Sequence, residues 1–241
     1  MEDKMIRVAI THGDTNGIGY EVILKTFATP TILELCTPIV YGSPKLAAYH
    51  RKALNLETSF NIIERAEDAC DGKLNILACF DDEVKVELGQ PSEEAGKAAL
   101  MALDRAMTDY RSGLYDVLVT APINKATIQG EGFHFPGHTE YIETCEGEGN
   151  KTLMILMNED LRVAPVTTHL PIRNVAEAIT QEAIVEKASI FNLSLKRDFR
   201  ISSPRIAVLS LNPHAGDNGL LGNEEKDIII PAIEELEKKG I

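Results

Sequence analysis

Six histidines are the residues with the broadest chemical reach in this chain: His12, His50, His134, His138, His169 and His214. Four of them fall in segments that follow apolar strand patterns or precede helical ones. His169 closes the run from Val163 to Thr168 and is followed by Leu170-Pro171; His214 follows the run Ile206 to Leu211 through Asn212-Pro213. Loops beyond the carboxyl ends of strands are where ligands gather in open α/β sheets. Two imidazoles so placed, 45 positions apart, have the chemistry to converge on one zinc-like ion and leave room for water or substrate. Residue type alone allows equally that each is a loop histidine satisfied by its neighbours.

His138-Thr139 follows Pro136-Gly137 and opens a helical pattern, Glu140 to Cys145. An imidazole and a hydroxyl at a helix N-terminus suit an anion or a hydroxyl group, although Thr139 would serve as a plain cap just as well. Lys125, just past the run Asp116 to Thr120 and Pro122, has the charge to bind a phosphate or polarise an oxygen, or to be merely solvated. Gly13-Asp14-Thr15-Asn16-Gly17-Ile18-Gly19 marks a strand-to-helix turn. Its glycine spacing is wrong for a Rossmann fingerprint, and no P-loop, GxSxG or HExxH pattern exists. It reads either as a tight turn or as a backbone approach to a ligand. The acidic run Glu64, Glu67, Asp68, Asp71 reads as a solvated surface.

The elements that must carry these groups alternate along the chain. Strand patterns are expected at Met5–Ile10, Ile39–Tyr41, Leu74–Phe80, Val84–Leu88, Asp116–Thr120 and Ile206–Leu211. Helical patterns are expected at Glu21–Ala28, Pro44–Leu54, Ala95–Tyr110 (opened by Ser92 as a cap and ended by Gly113), Asn174–Lys196 and Glu224–Lys239. Lys151–Met157 and Leu161–Thr168, joined by Asn158-Glu159-Asp160, read as a hairpin. The predicted class is α/β with a mixed, mainly parallel sheet, divided into lobes at 1–128 and 129–241.

The 241 residues carry 24 basic and 37 acidic side chains, a net charge of −13. That field repels nucleic acid and anionic membrane surfaces, so neither is an expected partner. No apolar run approaches a membrane span, and the opening residues lack a secretory pattern. Four cysteines without CxxC spacing read as reduced thiols, which makes the expected location cytoplasmic.

Read together, the loops resemble one family. The segments Ile10-Thr11-His12-Gly13-Asp14-Thr15-Asn16-Gly17-Ile18-Gly19, Thr120-Ala121-Pro122-Ile123-Asn124-Lys125 and Gly137-His138-Thr139-Glu140 carry the likeness. It continues through Thr167-Thr168-His169-Leu170-Pro171, Leu211-Asn212-Pro213-His214-Ala215-Gly216 and the helix from Glu224-Glu225 to Ile230-Pro231-Ala232. In this order they resemble the 4-hydroxythreonine-4-phosphate dehydrogenases of vitamin B6 biosynthesis. The resemblance implies a two-lobed fold similar to isocitrate and isopropylmalate dehydrogenases, a homodimer, and NAD or NADP bound without a Rossmann fingerprint. It implies that His169 and His214 are two of three histidine ligands to a divalent metal such as Zn, Mg or Co. It implies that His138 and Thr139 contact a small phosphorylated hydroxy amino acid. Lys125, at the end of its strand pattern, is assigned to electrostatic help near the reacting oxygen.

The implied reaction oxidises the secondary alcohol of 4-phosphooxy-L-threonine and releases carbon dioxide, leaving 3-amino-2-oxopropyl phosphate. The chain departs from the family in two places. Its first loop holds His12, Asp14, Thr15, Asn16 and Tyr20 where a Gly-Glu-Pro-Ala pattern is usual. It also ends at Ile241, before the segment that carries the family's third metal histidine and much of its cofactor site. The alternatives are a paralogue for another phosphorylated hydroxy acid, a non-catalytic metal- or phosphate-binding module, and a phosphotransacetylase-like acyl transferase.

Overall fold

The computed structural model describes residues 5–80, 84–130, 133–146 and 151–241. The chain divides into two compact units, Met1–Glu148 and Gly149–Ile241. The sequence-based division at 128/129 falls inside the first of these, because the segment after it packs into the first unit's own core.

That unit is built on a five-stranded sheet. Its strands are β1 (Ile6–Thr11), β2 (Cys36–Gly42), β3 (Asn61–Ile63), β4 (Asn75–Ala78) and β5 (Val117–Thr120), in the order β3-β4-β2-β1-β5. Every pairing is parallel; Ile10 lies opposite Val40 on one side and Val119 on the other. The helices are α1 (Gly19–Thr26), the short α2 (Pro30–Leu33), α3 (Pro44–Ala53), α4 (Glu93–Arg111) and α5 (His138–Glu146).

Strand side chains alternate between faces, and the core divides accordingly. Ile10, Val40 and Ile76 join Tyr20, Leu24 and Leu46 of α1 and α3 in one cluster. Ala9, Ile39, Tyr41 and Leu77 meet Ala102 and Ala106 of α4 in another. The alanines let α4 lie close to the sheet. Ser92 caps that helix through its hydroxyl, which accepts from the Ala95 amide at 3.1 Å, and Gly113 leaves it with φ of 69°, as expected of a glycine past a helix end. A third cluster joins Leu103 and Met107 of α4 to Ile128, Phe133 and Tyr141, and it holds α5 in the first unit.

In the second unit the expected hairpin is present: β6 (Leu156–Met157) pairs antiparallel with β7 (Arg162–Val163). The Asn158 side chain accepts from the amides of Asp160 and Leu161 and closes the turn. The long helical pattern is broken in two, α6 (Val175–Ala178) and α7 (Gln181–Arg197). Thr180 breaks it: its backbone is extended and its hydroxyl accepts from the Ala183 amide, starting a new helix. The closing helix α8 (Ile230–Lys238) is preceded by a π-helical turn, Glu225–Ile229. Pro231, which has no N–H for the carbonyl four residues back, accounts for that resetting of the ladder. α7 and α8 share a core of Ile184, Val185, Ile229 and Leu236.

Two expected strands are not formed. Val84–Leu88 and Ile206–Leu211 have no ladder among the described residues. Alternation records only that side chains face two ways; a strand also needs a neighbour for its amides. Val208 and Leu211 nonetheless pack on the α7–α8 core.

Candidate functional site

The first unit brings three of the candidate residues close together. Beyond β5, the Asn124 carboxamide oxygen accepts from the amides of Ala126 (3.0 Å) and Thr127 (3.3 Å). This turn leaves Lys125 exposed at its tip. Next to it stands the N-terminus of α5, which begins at His138. Tyr141, one turn on, stacks against Phe133 at 5.2 Å and meets Phe135 edge-on, and its hydroxyl donates to Asp104 of α4.

A β-carbon placed on Gly137 would lie 4.0 Å from Cε of Lys125, so the lysine stem runs past the residue that precedes His138. Burial, and then the Lys125 ammonium, lower the pKa of His138. The imidazole is therefore neutral at pH 7, with both a donor and an acceptor nitrogen. A cation, a neutral imidazole, the exposed Thr139 and the amides that open a helix form, at one place, an arrangement suited to a phosphorylated or carboxylated small molecule.

The glycine turn after β1 is explained by packing. A side chain on Gly13 would meet the backbone of Ala121 and Pro122, and one on Gly19 would meet the His12 carbonyl. The Asp14 amide donates to the Pro122 carbonyl at 2.9 Å, and the Asp14 carboxylate accepts from the Asn16 amide. The Asn16 side chain in turn holds the segment from Glu87 to Ser92.

His169 and His214 both lie in the second unit and both are exposed. Each has a left-handed backbone, with φ of 55° and 51°. His214 begins a run of left-handed residues that continues through Ala215, Gly216, Asp217 and Asn218. Each non-glycine residue in that conformation costs roughly 1–2 kcal/mol, so the surroundings must hold it. Loop imidazoles are donors of the kind a zinc-like ion takes, and their chemistry fits such a site. Among the described residues, no group of three or more His, Cys, Asp or Glu side chains is placed to hold a metal ion. A catalytic zinc site uses three protein ligands, so these two would be part of a larger set.

The remaining histidines serve elsewhere. His134 is exposed. His12 and His50 are buried on either side of Tyr20, whose ring stacks on both at 5.2 and 5.1 Å. Sequence reading put His50 within the helical pattern Pro44–Leu54 but had no reason to separate His12 from the loop histidines. The one available signal was aromatic company, Tyr20 following His12 and Tyr49 preceding His50. Among the described residues no helix is long and apolar enough to cross a membrane.

Known proteins resemble this chain over most or all of its length. A family model described as "Pyridoxal phosphate biosynthetic protein PdxA" matches residues 34–241. A 4-hydroxythreonine-4-phosphate dehydrogenase from Bacteroides thetaiotaomicron is 65% identical over all 241 residues, and this chain spans 66% of its length. One from a Sulfurihydrogenibium species is 37% identical over 98% of the chain and 72% of the relative. The crystal structure of a 4-hydroxythreonine-4-phosphate dehydrogenase from Burkholderia phymatum superposes with a TM-score of 0.83 at 34% identity, covering 99% of this chain and 73% of that one. The α/β class with a mainly parallel sheet, of the isocitrate/isopropylmalate dehydrogenase kind, is thus common to them.

Proposed function

The chain belongs to the PdxA family of pyridoxal phosphate biosynthetic proteins, and from that premise we propose that it works as a 4-hydroxythreonine-4-phosphate dehydrogenase. It acts on 4-phosphooxy-L-threonine with NAD or NADP, oxidising the secondary alcohol and releasing carbon dioxide. The single observation that carries this reading for the chain's own residues is the grouping of Lys125 with His138 at the start of α5.

In this reading the amides opening α5, with Thr139 and the neutral His138 imidazole, hold the substrate's anionic and hydroxyl groups by hydrogen bonds. Lys125 supplies positive charge near the oxygen that becomes a carbonyl, stabilising charge as it develops there. A divalent ion, when bound with His169 and His214 among its ligands, would supply Lewis acidity for both the oxidation and the decarboxylation, and the nicotinamide would take the hydride. The molecule works in the cytoplasm as a homodimer. Exposed Leu156, Met157, Leu161 and Val163 on the β6–β7 hairpin support the second part, since an apolar arm of this kind is buried in an assembly.

The test is reduction of NAD or NADP by the 241-residue chain with 4-phosphooxy-L-threonine, with and without added Zn²⁺, Mg²⁺ or Co²⁺, alongside calorimetric binding of the same substrate. Metal-dependent turnover is expected; a folded sample that neither turns over nor binds the substrate overturns the reading. Lys125→Ala is expected to lower kcat/KM at least tenfold, the order of one lost charge-assisted hydrogen bond. A loss confined to KM would move Lys125 from the reacting oxygen to substrate binding. Light scattering should give twice the chain mass, and a monomer at micromolar concentration would remove the dimer.

A further inference from the structure

We propose that Glu225 is a positioning residue for His214, holding the left-handed turn that presents this imidazole. The proposal rests on the reading of His214 as a metal ligand and deepens it. The turn follows Leu211-Asn212-Pro213. Glu225 lies thirteen and fourteen residues further on, at the head of the π-helical turn, and is buried. Its carboxylate accepts from the amides of Leu211 at 2.8 Å and Asn212 at 2.6 Å, and from the Asn212 carboxamide at 3.0 Å. A β-carbon built on Gly216, the central residue of the turn, would lie 3.1 Å from the same carboxylate. One side chain therefore grips the entry of the turn and underlies its middle.

The exit is closed separately. The amides of Leu220 and Leu221 donate to the carbonyls of Asp217 and Gly216. The run does not persist on its own backbone preference, because only Gly216 adopts positive φ without cost, Asp217 and Asn218 merely tolerate it, and His214 and Ala215 resist it. What faces its entry is an acceptor that can take three donors at once, which only an ionised carboxylate does. A carboxamide at 225 would turn an amino group toward the Asn212 carboxamide, donor against donor. Outer groups that orient metal-binding histidines are worth roughly ten- to a hundredfold in metal affinity.

The experiment compares the whole chain with its Glu225→Gln and His214→Ala variants, using Co²⁺ alone as the probe and amide hydrogen exchange as a second readout. Glu225→Gln is expected to weaken Co²⁺ binding about tenfold and to change the visible Co²⁺ bands. It should also speed exchange at Leu211 and Asn212, whose amides the Glu225 carboxylate accepts from, about tenfold, with exchange in α7 unaltered. Unchanged exchange at those two amides overturns the proposal, as does unchanged Co²⁺ affinity beside a His214→Ala variant that has lost it. If His214→Ala binds Co²⁺ like the parent, the metal reading fails; the hold on the turn is then decided by exchange alone. Should Glu225→Gln fail to fold, Asn212→Ser, which removes the carboxamide donor, is expected to give the same two effects more weakly, and its parent-like behaviour in both readouts overturns the proposal.

Discussion

Gly96→Ala is expected to destabilise the first unit by about 2 kcal/mol, even though alanine is the better helix former. Gly96 lies in the first turns of α4, where the substitution would contribute up to about 1 kcal/mol in helix propensity. A β-carbon there, however, would overlap the carbonyl of Thr127 and come within 2.9 Å of the Ile128 nitrogen. Both obstacles are backbone, so neither can swing aside as a side-chain end would, and overpacking of this kind costs about 1–3 kcal/mol or more. For a unit of this size the midpoint of thermal unfolding should fall by roughly 5 °C. Thr127 belongs to the turn that presents Lys125, so the same variant should also lower kcat/KM. Gly130→Ala, with nothing within 4 Å of the added β-carbon among the described residues, is the matched control and should change stability by less than about 0.5 kcal/mol. Calorimetric scans of the two variants decide it: equal midpoints would show that α4 does not seat against the 124–128 segment as described.

The second large effect is on acid stability. His12 is fully buried; its Nε2 is 3.3 Å from the Ala98 carbonyl and donates to it, while Nδ1 has no hydrogen-bond partner among the described residues. Burial first, and then the nearby His50, lower its pKa from 6.5 to about 4, against an opposing effect of the Ala98 carbonyl. The unfolded chain therefore binds a proton at this ring where the native chain refuses one. The native state keeps this advantage in full above pH 6.5 and loses it as the pH falls to about 4. The loss is about 3 kcal/mol, from roughly 1.4 kcal/mol for each unit of displacement. His50 is displaced in the same direction by its own burial and adds to the slope. The lowered carboxyl groups of Glu225 and Glu235 act lower, below the ordinary carboxylate range. Urea unfolding at pH 7, 5.5 and 4.2 should show His12→Gln less stable at neutrality but distinctly less sensitive to acid. Parallel pH dependences in the two proteins would show that the His12 ring titrates alike in the native and unfolded states.

Much of this molecule was legible in one sequence because its signals were local. Ser92 before a run of helix formers and Asn158 between two apolar segments accept from amides two or three residues away, and Gly113 after the helix donates its own amide to the Tyr110 carbonyl, three residues back. The break at Thr180 was equally local, yet apolar periodicity ran across it and concealed a cap within a longer pattern. Ile206–Leu211 misled for another reason, since an apolar run records a strand's composition and is silent about whether another segment lies alongside. The same limit governed the site. Lys125 and His138 were singled out separately by what they follow and precede, but the approach of the lysine stem to Gly137 is a product of the Phe133–Tyr141 packing. Glu225 was noted only as part of a segment that carries the family likeness; its role escaped notice because its partners, Leu211 and Asn212, are more than a dozen residues away. His12 was grouped with the loop histidines because only the folded core reveals that its ring lies under the sheet's end, stacked on Tyr20.

The pairing of β1 with β5 also governs when this protein can begin to be a protein. Ile10 finds Val119 across a gap of more than a hundred residues, while its other neighbour, Val40, comes thirty residues after it. During synthesis the amino-terminal strands must therefore wait, with one flank of β1 bare, until residue 120 has left the ribosome. Contacts of such long sequence separation are slow to form and leave strand edges open to foreign pairing in the meantime. The second unit emerges only after that wait has ended, so a nascent chain stalled short of β5 is the species on which a chaperone would act.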